Sequence, residues 1–353
     1  MELYVLDKEL NIVNVLSKYE AIIWKDILDK PGKFEAEFLF TLRNSKTLKR
    51  TNILYKTDEM QAGIINYRHI KLNKEGRVVI RIKGSMASSY LNRRIVWNKM
   101  VLSGTSEEAM RELVEAQVIN PRNPKRKMPR IRLGKLCGIE DHIEKQVTYA
   151  NLQETLTEIA AEARLGYRLR LDMKEKVFYF EVIRGKDRTL GTTKPCLFSR
   201  YLKNIDTQEY YEDDSNYKNV CLVCGRGEDE DRTTVEVGDA SGIDRYEMAY
   251  SAAFLEEEGQ TEEAYIAQLI QKGSEKLKEF YLVQPLESKI RQSKAPEHGL
   301  GDIATCLDNE WGIRMDAQIT QIEKHLSKDE RKVYITFGNS RPMITDLIKA
   351  TIK

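Results

Sequence analysis

The sequence predicts an α+β fold that is mainly β: two strand-rich units, each interrupted by a helical element. Three observations carry this. Apolar and polar residues alternate with a period of two through the first hundred residues and return to it in the last third. The period lengthens to a helical one near 105–119, near 148–165 and again from Thr261. Short turn segments, Asn73 to Gly76 and Met173 to Glu175, sit between paired apolar runs as hairpin connections do. The element order is then β, α/β, β, α/β, β.

In the first unit, strands are expected at Leu3 to Leu6, Ile12 to Leu16, Ala21 to Lys25, Lys33 to Phe40, Ile53 to Lys56, Ala62 to Lys71 and Arg77 to Gly84. Phe34, Ala36, Phe38 and Phe40 fall on one face and Glu35 and Glu37 on the other, as in a half-buried strand. Val78, Ile80 and Ile82 repeat the pattern against Arg77, Arg81 and Lys83. Such an antiparallel meander closes as a small barrel or packs as a sandwich.

Thr105 with Glu108 forms a capping box, and Met110, Leu113 and Val114 follow at helical spacing until Asn120 and Pro121. A second helix starts near Thr148, with Leu152, Leu156, Ile159 and Ala163 on one face and Gly166 placed to end it. A hairpin follows, Tyr167 to Leu171 returning through Val177 to Ile183. Strands resume at Gln208 to Glu212, Lys218 to Cys224, Thr233 to Val237 and Glu247 to Ala252. A third helix then runs from its cap Thr261 towards Pro285. The last strands are Glu287 to Arg291, Ile303 to Leu307, Met315 to Lys324 and Lys332 to Phe337. The expected division is 1–100, a first β unit; 101–200, an α/β domain; 201–255 with 286–340, a second β unit; 256–285, a helical insertion; and 341–353, a C-terminal helix or tail.

With 353 residues, 41% apolar and 32% charged, the chain has the size of about two domains. The composition excludes disorder, collagen and disulfide scaffolds. Lys and Arg number 57 against 55 Asp and Glu, a net charge of +2, too little to neutralise a nucleic-acid backbone over the whole surface; any such contact is local. Five cysteines, an odd and sparse set, suit free thiols in a reducing compartment. The N-terminal charges Glu2, Asp7, Lys8 and Glu9 leave no apolar signal stretch, and no segment approaches the ~20 apolar residues of a membrane helix.

Reaction chemistry finds little support. Cys221 and Cys224 make a CxxC, but residues three apart on a strand point to opposite faces and no second ligand pair follows. Cys306 with His298 lacks a group to orient the imidazole, and His69, His142 and His325 are scattered. Asp213 and Asp214 head a turn, Glu228 to Asp231 is a solvated acidic loop, and Gly225 with Gly227 lacks the lysine of a phosphate loop. No catalytic residue, metal site or cofactor is expected. The charged segment that stands out is Pro121 to Arg132, where Arg122, Lys125, Arg126, Lys127, Arg130 and Arg132 lie among three prolines. The prolines should keep it extended, and six cations without a carboxylate suit a phosphate backbone or an acidic partner, although no aromatic residue is interleaved for base stacking. A solvated or subunit-bridging loop is the plainer reading.

Several segments together resemble the central hub or tail-tip proteins of long-tailed bacteriophages, whose longer members are tail-associated lysins. They are Met1 to Asp7, Ile12 to Trp24, the stretch from Gly84 ending in Asn92-Arg93-Arg94-Ile95-Val96, Asp187-Arg188-Thr189, Asp213 to Val220, Leu300-Gly301-Asp302-Ile303, Trp311-Gly312 and the closing Phe337-Gly338. Each is short; their order along nearly the whole chain carries the likeness. The resemblance implies two small β-barrel domains, each with an α/β appendage, in a homotrimer whose six barrels form a pseudo-sixfold ring. It implies as partners the tail tube or a distal tail protein, and a spike, fibre or tape-measure protein. No small-molecule substrate or membrane embedding is implied, and DNA contact is at most transient. Such a protein is made in the bacterial cytoplasm and resides in the virion tail or a tail-like particle. The chain stops fifteen residues after Gly338, so the hydrolase region of the longer relatives is not expected. Met343, Leu347 and Ile348 in the tail could form a short docking helix or fold back on the chain's own barrel. The rival readings are a lysin fragment acting on peptidoglycan and a DNA-contacting module centred on 121–132.

Overall fold

A computed structural model of the protein describes residues 2–73, 75–210, 212–228, 231–252, 261–277, 280, 286–291, 295–328 and 330–338. Two compact units result, residues 1–209 with 286–338 and residues 210–285. Strand accounts for 43% and helix for 19%, so the fold is α+β and mainly β.

The first unit begins with β1 (Leu3–Leu6), β2 (Ile12–Leu16), β3 (Ala21–Ile27), β4 (Lys33–Leu39), the short helix α1 (Leu42–Thr47), β5 (Ile53–Lys56), β6 (Ala62–Leu72) and β7 (Val78–Met86). It ends with β19 (Leu286–Ile290), β20 (Ile303–Asp308), β21 (Ile313–Ser327) and β22 (Arg331–Phe337). These two stretches, with β15 (Ile205–Tyr210), share one sheet in the order β15-β19-β22-β21-β3-β4-β7-β6-β5-β1-β2. The join is the antiparallel pair β21 and β3, which sets Leu326 opposite Ile22 and Lys324 opposite Trp24. The expected boundary at residue 201 therefore differs from the observed grouping: backbone pairing between residues some three hundred apart fuses the first and last strands.

Alternation decides which face is buried. Ile22, Trp24, Phe34, Ala36, Phe38, Ile80 and Ile82 line the core with Leu326, and the Trp24 and Phe34 rings pack at 5.6 Å. Phe40 and Val78, expected to continue this face, are instead part-exposed: Phe40 lies beyond the end of β4 and Val78 is the first residue of β7. Among the described strands no hydrogen-bonded ring closes; β2 and β15 are the two ends of the path. At the β2 end, α1 fills part of the gap: Asn14 on β2 donates to Asn44 Oδ1 and Thr47 Oγ1, and Arg68 on β6 donates to the Ser45 carbonyl.

Between these stretches lies an α/β module of β8 (Met100–Gly104), α2 (Ser106–Val114), β9 (Ile131–Leu133), β10 (Ile143–Val147), α3 (Leu152–Glu162), β11 (Gly166–Asp172) and β12 (Val177–Ile183). The Thr105 and Glu108 capping box is present in both directions, and Met110, Leu113, Leu156, Ile159, Tyr167 and Phe180 share one core. The helix α3 begins at Leu152, not near Thr148, because Val147 pairs with Met100 as strand and Asn151 supplies the cap. Gly166 does not end that helix; it opens β11, where a Cβ would lie 2.4 Å from the Leu28 carbonyl oxygen. The chain turns instead at Arg164, whose φ is 54°.

A crossing of two backbones holds the remaining strands. β13 (Asp187–Arg188) and β14 (Leu197–Ser199) both run parallel to β20. Just before them Gly185 meets Gly301 so closely that a Cβ on Gly185 would sit 1.6 Å from the Gly301 carbonyl oxygen. Asp302 ties the crossing, accepting from the Lys186 and Gly299 backbone N–H groups at 2.8 and 2.9 Å and from Arg188 Nε at 2.9 Å.

In the second unit, β16 (Val220–Cys224) is the middle strand between β17 (Thr234–Val237), antiparallel, and β18 (Glu247–Ser251), parallel. Helix α4 (Glu262–Leu277) covers it with Tyr265 and Leu269 on Cys221 and Val223. Its Thr261 cap is as expected, and the helix is described as far as Leu277; the expected end near Pro285 lies outside the described residues.

Candidate partner-binding surface

The cationic segment is folded, not extended. Asn123 caps a single 3-10 turn over Pro124–Arg126, with proline presetting the first position. Pro121, Met128 and Ile131 pin the segment to the α/β module, the last two against its core, and the Met128 N–H donates to the Val118 carbonyl.

The six cations do different work. Arg132 pairs with Glu175 at 3.0 Å and Arg130 donates to the Lys176 carbonyl at 3.1 Å, so both are committed to the hairpin beneath. Arg126 stacks on Trp97, its guanidinium carbon 4.4 Å from the ring centre, and donates to the Ile95 carbonyl at 2.5 Å and to Gln117 Oε1 at 3.0 Å. The same Gln117 oxygen accepts from the Trp97 N–H at 3.2 Å. Gln117 is buried on a widened, π-helical turn, Glu115–Ile119, that follows α2. Arg122, Lys125 and Lys127 are exposed.

Sequence reasoning missed the neighbours. Arg93 and Arg94 join the segment: Arg94 Nε donates to the Arg126 carbonyl at 2.8 Å, and Arg93 lies over the Tyr90 ring at 4.5 Å. Burial, and then the charge of Arg94, lowers the Arg126 pKa; burial, and then Arg93, lowers that of Arg94. Arg93, Arg94, Arg122, Lys125, Arg126 and Lys127 have no carboxylate partner among the described residues. Apolar side chains surround them. Trp97 is 46% exposed and Ile95 nearly as much, and the Tyr149 N–H donates to the Val96 carbonyl, bringing beside Trp97 a tyrosine that is 71% exposed with φ at 54°. The aromatic groups that the segment itself lacks thus come from residues 97 and 149. The stretch ending in Asn92-Arg93-Arg94-Ile95-Val96 was the available signal, but nothing in its spacing pointed to residue 126.

The other candidates separate. Met343, Leu347 and Ile348 lie outside the described residues. Cys221 is buried under α4 while Cys224, on the opposite face of β16, is half-buried. Burial pushes Cys196 up to about 12 and raises Cys306 further. His298 packs edge-on to Phe198 at 5.8 Å and contacts the Pro296 carbonyl. Asp213 caps its own turn through the Ser215 N–H. Among the described residues no group of three or more His, Cys, Asp or Glu side chains could hold a metal, and no helix is long and apolar enough to cross a membrane.

The family model for the Siphovirus ReqiPepy6 Gp37-like protein matches residues 2–339. The chain belongs to this family. No curated protein sequence matches it. Three solved structures are similar to this Gp37-like chain over almost its entire length. A tail protein of Neisseria meningitidis is 14% identical with a TM-score of 0.58, covering 96% of each chain. The 43 kDa tail protein of prophage MuSo2 from Shewanella oneidensis is 12% identical with a TM-score of 0.57, covering 96% of this chain and 98% of its own. Prophage tail protein gp18 from Listeria monocytogenes is 11% identical with a TM-score of 0.56, covering 100% and 98%. The fold of this Gp37-like chain is that of phage tail proteins.

Proposed function

We propose that the chain is a non-enzymatic structural hub of a phage or phage-tail-like particle. Three copies join the tail tube to the spike or tail tip, and their strand-rich lobes, two per copy, make a pseudo-sixfold ring of barrels. The observation that carries this reading is the likeness to phage tail proteins from one end of the fold to the other, at near-complete coverage of both chains.

The physical logic lies in sheet edges. A ring that continues a tube needs exposed strand edges and faces that accept a neighbour. The edge strand β2 presents Ile12 and Val15, each about half exposed, beside backbone groups that no strand pairs on its outer side among the described residues. In this reading the strands of residues 1–100 and those of 201–209 with 286–338 supply the two lobes, 101–200 and 210–285 are appended to them, and residues 341–353 dock on the next component. The site of action is the virion tail, after synthesis in the bacterial cytoplasm. A lysin fragment that acts through a cysteine needs a thiolate nucleophile, whereas burial raises the thiols of Cys196, Cys221 and Cys306.

The mass of the purified full-length protein, by light scattering after gel filtration, tests the reading. Three times 40.9 kDa is expected. A monomer at every concentration, or turnover of purified peptidoglycan, would overturn it.

A further inference from the structure

Charge is divided unevenly along the chain. Residues 210–285 carry 18 Asp and Glu against 7 Lys and Arg, whereas the rest carries 50 Lys and Arg against 37 Asp and Glu. A net charge of +2 hides an acidic unit and a basic one. The acidic unit also presents an apolar knob. Between β17 and β18 the loop 238–246 places Ile243 in a 3-10 turn with 93% of its surface exposed, flanked by the exposed Asp239 and Asp244.

This loop is held in shape. Arg245 pairs with Glu236 and Glu247 and donates to the Ala240 carbonyl, and Asn219 donates to the Asp244 carbonyl while accepting from the Tyr246 N–H. Gly238 and Gly242, at φ 107° and 64°, supply the left-handed backbone that lets the loop turn twice. A preorganised loop loses little entropy on docking, and a solvated isoleucine on it gains by burial.

The basic surface around Trp97 has the complementary make-up: Trp, Tyr and Arg at an apolar centre, rimmed by unpaired cations. That is the composition of a protein-protein hot spot. We propose that the Asp239–Asp244 loop of one copy docks on the Trp97–Tyr149 surface of a neighbouring copy. Ile243 sits against the aromatic centre, and Asp239 and Asp244 face Lys125, Lys127 and Arg122. The inference rests on the multi-copy reading above and adds the surface that sets copy against copy. Nucleic acid is the poorer occupant, because every copy brings its own acidic unit to the same assembly and repels a polyanion.

A charge-swap experiment on the full-length protein tests this. Variant one carries Lys125→Glu and Lys127→Glu; variant two carries Asp239→Lys and Asp244→Lys. Self-association is followed by sedimentation at low and moderate salt. Each variant alone should associate roughly tenfold or more weakly than the unmodified protein, and a third variant that combines all four changes should recover association, since loop and patch are again of opposite sign at every contact between its copies. Ile243→Asp, a surface change that leaves the fold intact, should weaken association as well. If both charge variants retain the trimer mass, the docking inference fails while the hub reading stands. If the unmodified protein is a monomer throughout, both fail. If the fourfold variant is no better than the twofold ones, the contact is not between this loop and this patch. If variant one loses only affinity for a DNA duplex and keeps its mass, the surface belongs to nucleic acid and the inference is wrong.

Discussion

Asp26→Asn should stabilise the protein, and by more at alkaline than at acid pH. Asp26 sits on β3 facing Glu59, Lys324, Gln61 and Arg168. Burial first, and then the Glu59 carboxylate, pushes its pKa up to about 6, against the opposing Lys324 and the Gln61 amide, which donates to Asp26 Oδ1 at 3.1 Å. Glu59 is itself paired with Lys56 and Lys324 at 2.9 and 2.6 Å. A folded-state pKa above the ordinary carboxylate value means that the folded protein binds more protons than the unfolded chain between about pH 4 and 6. Stability at this site is therefore greatest below about pH 4 and is lost as pH rises through 6. The shift of roughly two units corresponds to about 3 kcal/mol at most, and to about 1–2 kcal/mol once partial exposure of the side chain lets solvent screen it. Asparagine keeps the Gln61 hydrogen bond and removes the charge. Urea unfolding of both proteins at about pH 8 and about pH 5 should show a gain for the variant that is roughly twice as large at the higher pH. A loss at about pH 8, or the same change at both values, would refute the reasoning, since it would mean that Lys324 and Arg168 more than offset the burial of the carboxylate.

Three further substitutions probe the elements on which the sites are built. Gly185→Ala drives a Cβ into the Gly301 carbonyl and should cost more than the ~0.5–3 kcal/mol of an ordinary substitution, read as a lower urea midpoint. Leu156→Ala empties a fully buried site between α3 and the module core and should cost about 2–5 kcal/mol in the same measurement. Thr105→Ala removes the α2 cap and should cost about 1 kcal/mol, visible as faster amide exchange in Ser106 to Glu108.

Long apolar alternation made the sheet legible in the sequence. β1, β2, β5 and β12 have the expected bounds: β12 alternates, whereas β1 and β5 are buried almost throughout and show as short apolar runs. Elements whose formation depends on distant partners were not legible. β8 and β10 pair with each other as a small two-stranded sheet, half-exposed and without a strong period, and α1 is six residues with no buried side chain, fixed by Asn14 and Arg68 from β2 and β6. Gly166 could be read as a stop but not as the place where Leu28 approaches, since that contact belongs to the tertiary fold. Fusion of the first and last strands into one sheet likewise rests on the β3 and β21 register, which no local pattern encodes.

The candidate surface was legible as charge and illegible as shape. The run of cations from Arg122 to Arg132 was evident, but Arg130 and Arg132 proved structural, and Arg93 and Arg94 entered from a separate segment. Trp97 and Tyr149, which supply the apolar centre, are 52 residues apart and are brought together by backbone bonds between the two segments, Tyr149 to Val96, Val96 to Ala150 and Leu152 to Arg94. The tie of Asp302 to Arg188 and to the Lys186 and Gly299 amides shows a structural reason for two of the short motifs, Asp187-Arg188-Thr189 and Leu300-Gly301-Asp302-Ile303: they are two sides of one backbone crossing.

An electron cryomicroscopy map of the intact particle at side-chain resolution addresses the central claim most directly. The account predicts three copies of this chain where tube meets tip, with six strand-rich lobes around one axis. Copies absent from that junction, or present in a number other than three, would contradict it.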